Sequence, residues 1–542
     1  MLPRPRKTSS AIVSLSAMAA LALGSCALAA CSTSSSGDSA SGGSASGSTI
    51  SQFTVGLDPA VTTLNYDKSN AGYLLGGLVL EPLLIASKSG KLVPWLASSW
   101  KQVNPTTYVY NIRRGVKFSD GDALTATDVA FSLNYYRQPG SLDAFNFPTT
   151  LKSITATGPY TVTVRLSQPD ASWAVVPAGD PLGIFEKKFY DEHKSTFGQP
   201  GTGVMGTGPW AFTSYNGTTS ATLKANPYYW GGKVKIKTVS VQFFSSETSE
   251  ALAFRDGEID LAFPTNNRAF ASTAGVSLTT VPSYAIQGGF YMNVLQKPWN
   301  NLRVRLAVAY ALDHSALIQA WGGYATPIYQ FLTAGLLENI GSPAEVASAL
   351  KSVPTYQYNL ARAKAEMAAS PYPHGVDATI SVEGAGSYPN VSQAVAAELA
   401  QIGIHLKLDV MTADQQIANM TSGNRQGILG TFTYGVAVSR DPGEAFAYSM
   451  GSSNISAGNW NSMNWAPTSV DNLINEGFAT TNDTARLRIY GQIDTAYAQA
   501  EPFVPLFNED ATVALASGYT WPSFNGFYQD LGPWLLGVSK KN

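Results

Sequence analysis

The chain has 542 residues, of which 35 are Lys or Arg and 37 are Asp or Glu, a formal net charge of −2. Only 13% of positions are charged and 44% are hydrophobic; that charge content is about half the share usual in soluble proteins. The balance excludes a disordered chain, offers no basic stripe for DNA or RNA, and at this length favours two or three domains over one core.

The first thirty-one residues read as a processing signal. Arg4, Arg6 and Lys7 form a basic start, Ala11–Leu23 is apolar apart from Ser14 and Ser16, and Leu28-Ala29-Ala30-Cys31 follows. Basic residues, a short apolar run and small residues before a cut make a secretory signal peptide over 1–30, too short and too interrupted to span a bilayer. The four residues ending in Cys31 resemble a bacterial lipobox, which implies cleavage before Cys31 and a lipid on its sulfur. Cys26 would leave with the signal, so the mature chain holds one thiol. Its basic residues fall from 35 to 32 against 37 acids, a charge of −5. Residues 32–49 contain nine Ser and four Gly and cannot bury apolar area, so 31–49 reads as a lipidated cysteine on a flexible tether.

The folded body begins near Ile50. Phe53–Leu57 alternates as a strand ended by Asp58-Pro59. At 107–112 and 115–118 a hairpin is expected, with Tyr108, Tyr110 and Ile112 on one face and Arg113-Arg114-Gly115 turning the chain. Thr125 and Asp128 form a capping box for a helix carrying Val129, Leu133 and Tyr136. Residues 158–166 and 221–243 read mostly as β, with an aromatic loop at Pro227–Gly232. Helices are predicted at 248–256, 303–312, 360–369, 391–401 and 484–499, and short strands at 259–261, 291–294 and 403–408. The sum is mixed α/β without a solenoid repeat.

Enzymatic constellations are missing. No His-Glu-x-x-His and no Gly-x-Ser-x-Gly occurs. Asp120-x-Asp122 lacks the further oxygens of a calcium loop. The four histidines, His193, His314, His374 and His405, are far apart in the chain. No catalytic residue, cofactor or metal ligand is assigned.

What the chain does carry is a series of motifs in fixed order. They are Pro94-Trp95-Leu96-Ala97 with Ser99-Trp100, Tyr108 to Gly121, Leu124-Thr125-Ala126-Thr127-Asp128-Val129, Gly206-Thr207-Gly208-Pro209-Trp210, and Asn226-Pro227-Tyr228-Tyr229-Trp230. Gly257-Glu258-Ile259-Asp260, Arg303 to Asp313, Asp441-Pro442 and Glu501-Pro502-Phe503-Val504-Pro505-Leu506 continue it. In this the sequence resembles the family 5 extracellular solute-binding proteins of ABC importers, the oligopeptide, dipeptide and nickel receptor group. On the residues alone, most of these motifs are structural: Tyr108, Tyr110, Val116 and Phe118 read as core, and Arg303 and Arg305 as solvent-facing or locally paired.

The resemblance implies a two-lobed, periplasmic-binding-protein-like α/β fold (class II, cluster C type) with an extra domain inserted in the first lobe. Domain I would comprise 50–85, 201–295 and 501–542, domain II 86–200, and domain III 296–500, with hinges near 294–298 and 500–504. It also implies a non-enzymatic, monomeric receptor on the outer face of the cytoplasmic membrane. The membrane is met only through the lipid, and ligand passes to importer permease subunits by closure of the cleft. Peptide receptors of the family place an aspartate shortly before Asp441-Pro442. Here that position falls at Val438, so either Asp441 or a residue elsewhere replaces it, or the ligand has no free amine. Asn459-Trp460-Asn461-Ser462-Met463-Asn464-Trp465 suits sugar rings as well as peptide. The candidate ligand contacts are Tyr66, Tyr73, Trp210, Gln287, Tyr434, Val438, Asp441, Trp460 and Trp465. The expected ligand is a peptide; an oligosaccharide or other neutral solute, or a sensor lipoprotein without transport, are the alternatives.

Overall fold

The computed structural model describes residues 48–541, except 59, 70–71, 88–90, 180–181, 265–266, 272, 274, 385, 423–426, 434–440, 456–458 and 527–531. Signal, Cys31 and most of the tether therefore lie outside the described residues.

One eleven-stranded sheet runs through the body. From one edge its order is Ile404–Met411, Val376–Glu383, Gly427–Thr433, Val276–Met292, Phe503–Ala516, Leu261–Ala262, Ile50–Leu57, Ile236–Phe243, Ser220–Ala225 and Trp210–Tyr215. Ala325–Pro327 adds to Phe503–Ala516 off this path. The two ends each contain parallel pairs: Ile50–Leu57 beside Ile236–Phe243, and Val376–Glu383 beside Ile404–Met411. The middle is antiparallel. There Val276–Met292 and Phe503–Ala516 pair from Val276 opposite Ala516 to Tyr291 opposite Phe503.

These two long strands belong to both lobes. Leu278, Val513, Ala514 and Leu515 pack into first-lobe clusters. Phe290, Met292, Val504, Leu506 and Phe507 pack with Val304, Val308, Val395 and Ile380 in the second. The change from one core to the other falls inside the strands, where the register slips between Pro282 and Gln287. Three extra residues on one strand bend the ladder there and sharpen its twist. Ala45–Asn542 nonetheless forms one compact unit.

The inserted block is a four-stranded antiparallel sheet in the order Ala97–Asn104, Thr107–Ile112, Thr161–Leu166, Leu151–Gly158. Tyr108, Tyr110 and Ile112 are buried on one face, as their alternation predicts. The expected hairpin with 115–118 is corrected: Thr107–Ile112 pairs with Ala97–Asn104 and Thr161–Leu166, and Lys117 only bridges Ala123. Val116 and Phe118 are buried, so their apolar spacing reflects packing rather than pairing. Helix Ala126–Tyr136 covers this sheet, and Asp128 accepts from the Thr125 backbone at 3.0 Å and its hydroxyl at 2.7 Å.

The block shares a continuous core with the first lobe. At the joint, Gly206 and Gly208 pass so close to residue 79 that an added Cβ would lie 2.1 and 2.6 Å from the Val79 carbonyl oxygen. Gly208 N–H donates to that oxygen at 2.8 Å. Beside it, fully buried Glu81 accepts from Trp95 Nε1 (2.8 Å), Thr207 Oγ1 (2.6 Å) and Trp230 Nε1 (2.9 Å). Burial pushes its carboxyl up to about 7 despite those three donors.

Among the described residues no helix is long and apolar enough to cross a membrane.

Candidate functional site

In open α/β sheets, ligands bind beyond the carboxyl ends of parallel strands. In the first lobe that place is the end of Ile50–Leu57 and Ile236–Phe243, next to the crossing strands. Ser246 caps a helix there, Glu247–Arg255, its hydroxyl accepting from Ser249 N–H at 3.3 Å. Acids gather around it from three elements. Asp58 follows the first strand, Glu247 and Glu250 lie in the first helical turn, and Glu509 and Asp510 stand on the crossing strand.

Glu250 is only 2% exposed. Gly56 makes room for it, since a Cβ at that glycine would meet Glu250 Oε1 at 2.7 Å and Ile259 Cδ1 at 2.6 Å. Burial, then the charges of Asp58 and Glu247, push the Glu250 carboxyl up to about 8. Burial, then Glu247 and Asp510, do the same to Glu509, again to about 8. Asp58 is raised by burial and by Glu247. Asp510 Oδ1 accepts from Thr326 Oγ1 at 3.4 Å, across to the strand that joins from the second lobe.

The second lobe treats its aspartate differently. Asp441, 1% exposed, caps helix Pro442–Met450 by accepting from Gly443 N–H at 2.8 Å. Its other oxygen is bound by Arg486 Nη2, which also donates to Tyr490 Oη at 2.9 Å. Burial alone would lower the Arg486 pKa, but Asp441 holds it above its ordinary value. This group faces the inserted block, where helix Thr468–Ala479 packs on the turn Ala171–Ala174. Across that contact burial raises Asp170, and the Asp441 charge adds to the effect.

The remaining candidates scatter. Tyr66 and Trp210 are core: Tyr66 packs edge-on against Tyr73 at 5.0 Å, and Trp210 donates Nε1 to the Ile236 carbonyl at 3.0 Å. We carry neither into the site. Tyr73 is half-buried and donates to Asp143 Oδ1 at 2.7 Å. Gln287 lies opposite Asn508 at the register slip, its side chain outside the described residues, as are Tyr434 and Val438.

In the tryptophan loop, buried Asn461 donates Nδ2 to the carbonyls of Gly451 (3.3 Å) and Trp465 (3.1 Å), and its N–H bonds Asn454 O at 2.9 Å. That clamp leaves Trp460 40% exposed and lays Trp465 half-buried against Tyr497, centroids 6.3 Å apart. Asp120, Asp122 and Glu186 also draw together, giving Asp120-x-Asp122 a third carboxylate. Lys188 already supplies a cation there, 2.8 Å from Asp122.

The sequence reading missed Arg486, Glu250 and Glu509. Ser-Ser-Glu-Thr-Ser-Glu at 245–250 reads as an ordinary helix start, and only tertiary packing buries its second glutamate. Arg305, expected to face solvent or pair locally, is buried, its guanidinium donating locally to Trp299 O and, far along the chain, to Ala500 O, at 2.7 Å each.

With this geometry in view, the chain matches known proteins over most of its length. The glutathione-binding protein GsiB of Salmonella choleraesuis (strain SC-B67) is 27% identical over 425 residues, covering 76% of this chain and 80% of the relative. DppA from Helicobacter pylori, in complex with the peptide STSA, superposes with a TM-score of 0.74 at 20% identity, over 92% of this chain and 99% of that one. NikZ from Campylobacter jejuni, in complex with Ni(L-His), gives 0.73 at 19% identity, over 90% and 99%. These likenesses establish the two-lobed periplasmic-binding-protein fold. The profile described as bacterial extracellular solute-binding proteins, family 5 Middle, matches residues 91–458, and the chain belongs to that family of extracytoplasmic transport receptors rather than to any class of enzyme.

Proposed function

We propose that the protein is a lipid-anchored receptor that closes its two lobes over a peptide and presents it to the permease subunits of an ABC importer. The observation that carries this reading is the antiparallel pair Val276–Met292 and Phe503–Ala516, shared by both lobes and slipped in register where the cores change over. Such a strap lets the lobes rotate without breaking either core, so ligand binding becomes a shift towards the closed state. A three-part division with 86–200 as the inserted domain, and lipidation at Cys31, belong to the same proposal; the lobes change over at the register slip between Pro282 and Gln287, rather than at the hinges at 294–298 and 500–504 read from the resemblance. Peptide as the solute is supported by the glutathione and tetrapeptide ligands named for two of the relatives.

An oligosaccharide is the second reading, and the exposed face of Trp460 is compatible with it, because indole faces stack on sugar rings as well as on peptide planes. Native mass spectrometry of gently purified protein, sprayed before and after mild unfolding, separates the two. Released masses spaced as amino acids support the peptide; hexose spacings replace it. Trp460→Ala and Trp465→Ala are each expected to weaken binding of the released solute more than tenfold by titration calorimetry. Unchanged affinity in both would remove the loop from the site.

A further inference from the structure

We infer that Asp120, Asp122 and Glu186 form a binding site for a divalent cation of the calcium class, where the inserted block meets the chain returning to the first lobe. The inference goes beyond the receptor reading and does not depend on which solute the cleft takes.

The geometry is already assembled. Each of the three side chains presents an oxygen within 4.8 Å of the other two. Two oxygens on opposite sides of a calcium ion, each about 2.3–2.6 Å from it, stand roughly 4.6–5.2 Å apart, whereas octahedral magnesium draws them in to about 4.0–4.2 Å. Both segments that carry the acids are held at one place. Ser119 N–H donates to Gly206 O and Glu186 N–H to the adjacent Met205 O, each at 3.1 Å. Asp122 N–H donates to Asp120 Oδ1 at 3.0 Å and fixes the turn between the two aspartates.

Exposed acids often gather without an ion, and Asp120 and Asp122 alone would be such a case. Glu186 is different. It is only 3% exposed, yet among the described residues no lysine, arginine or histidine lies within ion-pair distance of its carboxyl. Its close polar company is the other two acids. Burying a carboxylate in that company is costly unless a cation meets it. Lys188 does not fill that need. Its ammonium reaches Asp122 Oδ2 at 2.8 Å from a side chain 61% exposed, a surface bridge that a divalent ion can displace. An ion seated among the three carboxylates meets Glu186 directly. The open flank at Asp120 and Asp122 leaves room for waters to complete about six to eight oxygens. Binding only the folded chain, the ion would stabilise the block by mass action.

The test uses the full chain, stripped with a chelator and titrated with calcium chloride or magnesium chloride alone. Calorimetry should show one calcium ion per chain with Kd below about 1 mM and weaker binding of magnesium. Saturating calcium should raise the unfolding temperature. Glu186→Gln and Asp120→Asn should each weaken calcium binding at least tenfold. Asp120 is exposed and asparagine keeps its bond to the Asp122 N–H, so the second variant decides the matter if the first does not fold. Lys188→Met removes the competing ammonium and should tighten calcium binding at least threefold. A Kd above about 1 mM overturns the inference, as ordinary screening of surface acids. Magnesium bound as tightly as calcium, or affinity unchanged in both acid variants, overturns it as well.

Discussion

Two buried carboxylates, one in each lobe, show how the same chemical group serves opposite ends. Asp441 is saturated: a backbone N–H on one oxygen, a guanidinium on the other, a tyrosine hydroxyl closing the ring. Glu250 is as deeply buried and has only acids for charged company. The difference lies in the neighbours. Arg486, four residues before Tyr490 on helix Asp483–Ala500, puts both groups on the face turned to Asp441. Helix Glu247–Arg255 offers only Arg255, at its far end, which pairs outward with Asp256 at 3.0 Å. A matched acid holds structure, whereas an unmatched one is free to meet something else.

The largest way to break this contrast is to unmatch Asp441. Asp441→Ala would strand the Arg486 guanidinium in a buried setting and is expected to cost about 3–5 kcal/mol, read as the shift in a denaturant midpoint. Replacing both partners, Asp441→Leu with Arg486→Met, should recover much of that loss. If the single variant unfolds like wild type, the pair is not structural and Asp441 returns as a ligand contact. Next in size is Gly56→Ala. Its Cβ would collide with Glu250 and Ile259, so about 1–3 kcal/mol should be lost by the same measurement.

Much of the fold was legible in the sequence, for local reasons. The Thr125/Asp128 box and the 3.6-residue apolar spacing placed helices within a few residues of Ala126–Tyr136, Leu360–Ala368 and Asp483–Ala500. The long strands were not legible. Only the final residues of Val276–Met292 looked like a strand, because Gly288 and Gly289 interrupt its pattern. Both lie against Phe507 and Phe503, whose rings an added Cβ would meet at 2.4 and 2.1 Å. The same holds for the site. Trp210, in a motif, and Tyr66, outside one, drew notice as aromatics and are packed in the core, while Glu250 looked like a helix start. The burial of Glu250 and its charge coupling to Asp58 are tertiary facts that no spacing encodes.

Glu250 makes a third prediction, on pH. Its folded-state pKa of about 8 stands above the ordinary 4.5, so the folded state binds the proton more tightly than the unfolded chain. The resulting stability is complete below pH 4.5 and is lost as pH rises towards 8. Several other acids, Glu509 and Glu81 among them, are raised as well, so the wild-type slope is a sum. The difference between wild type and Glu250→Gln isolates one contribution. Without ligand, the variant should match wild type near pH 4.5 and exceed it at pH 8.5 by on the order of 1 kcal/mol or more. Parallel curves would mean that Glu250 keeps its charge in the empty protein, and the contrast with Asp441 would dissolve.

The smallest expected effect concerns stability at the tryptophan loop, and it sharpens the same distinction between fold and ligand. Trp460 is 40% exposed and Asn461 fixes the loop through its own amide, so Trp460→Ala should change unfolding free energy by less than about 0.5 kcal/mol. Trp465 packs against Tyr497 and the second-lobe core, so its loss should cost about 1–3 kcal/mol. Comparable binding losses from both, set against these unequal stability losses, would mark Trp460 as a contact made for the ligand. A stability loss at Trp460 as large as at Trp465 would show that its ring supports the loop, and the oligosaccharide reading would lose the one observation it draws on.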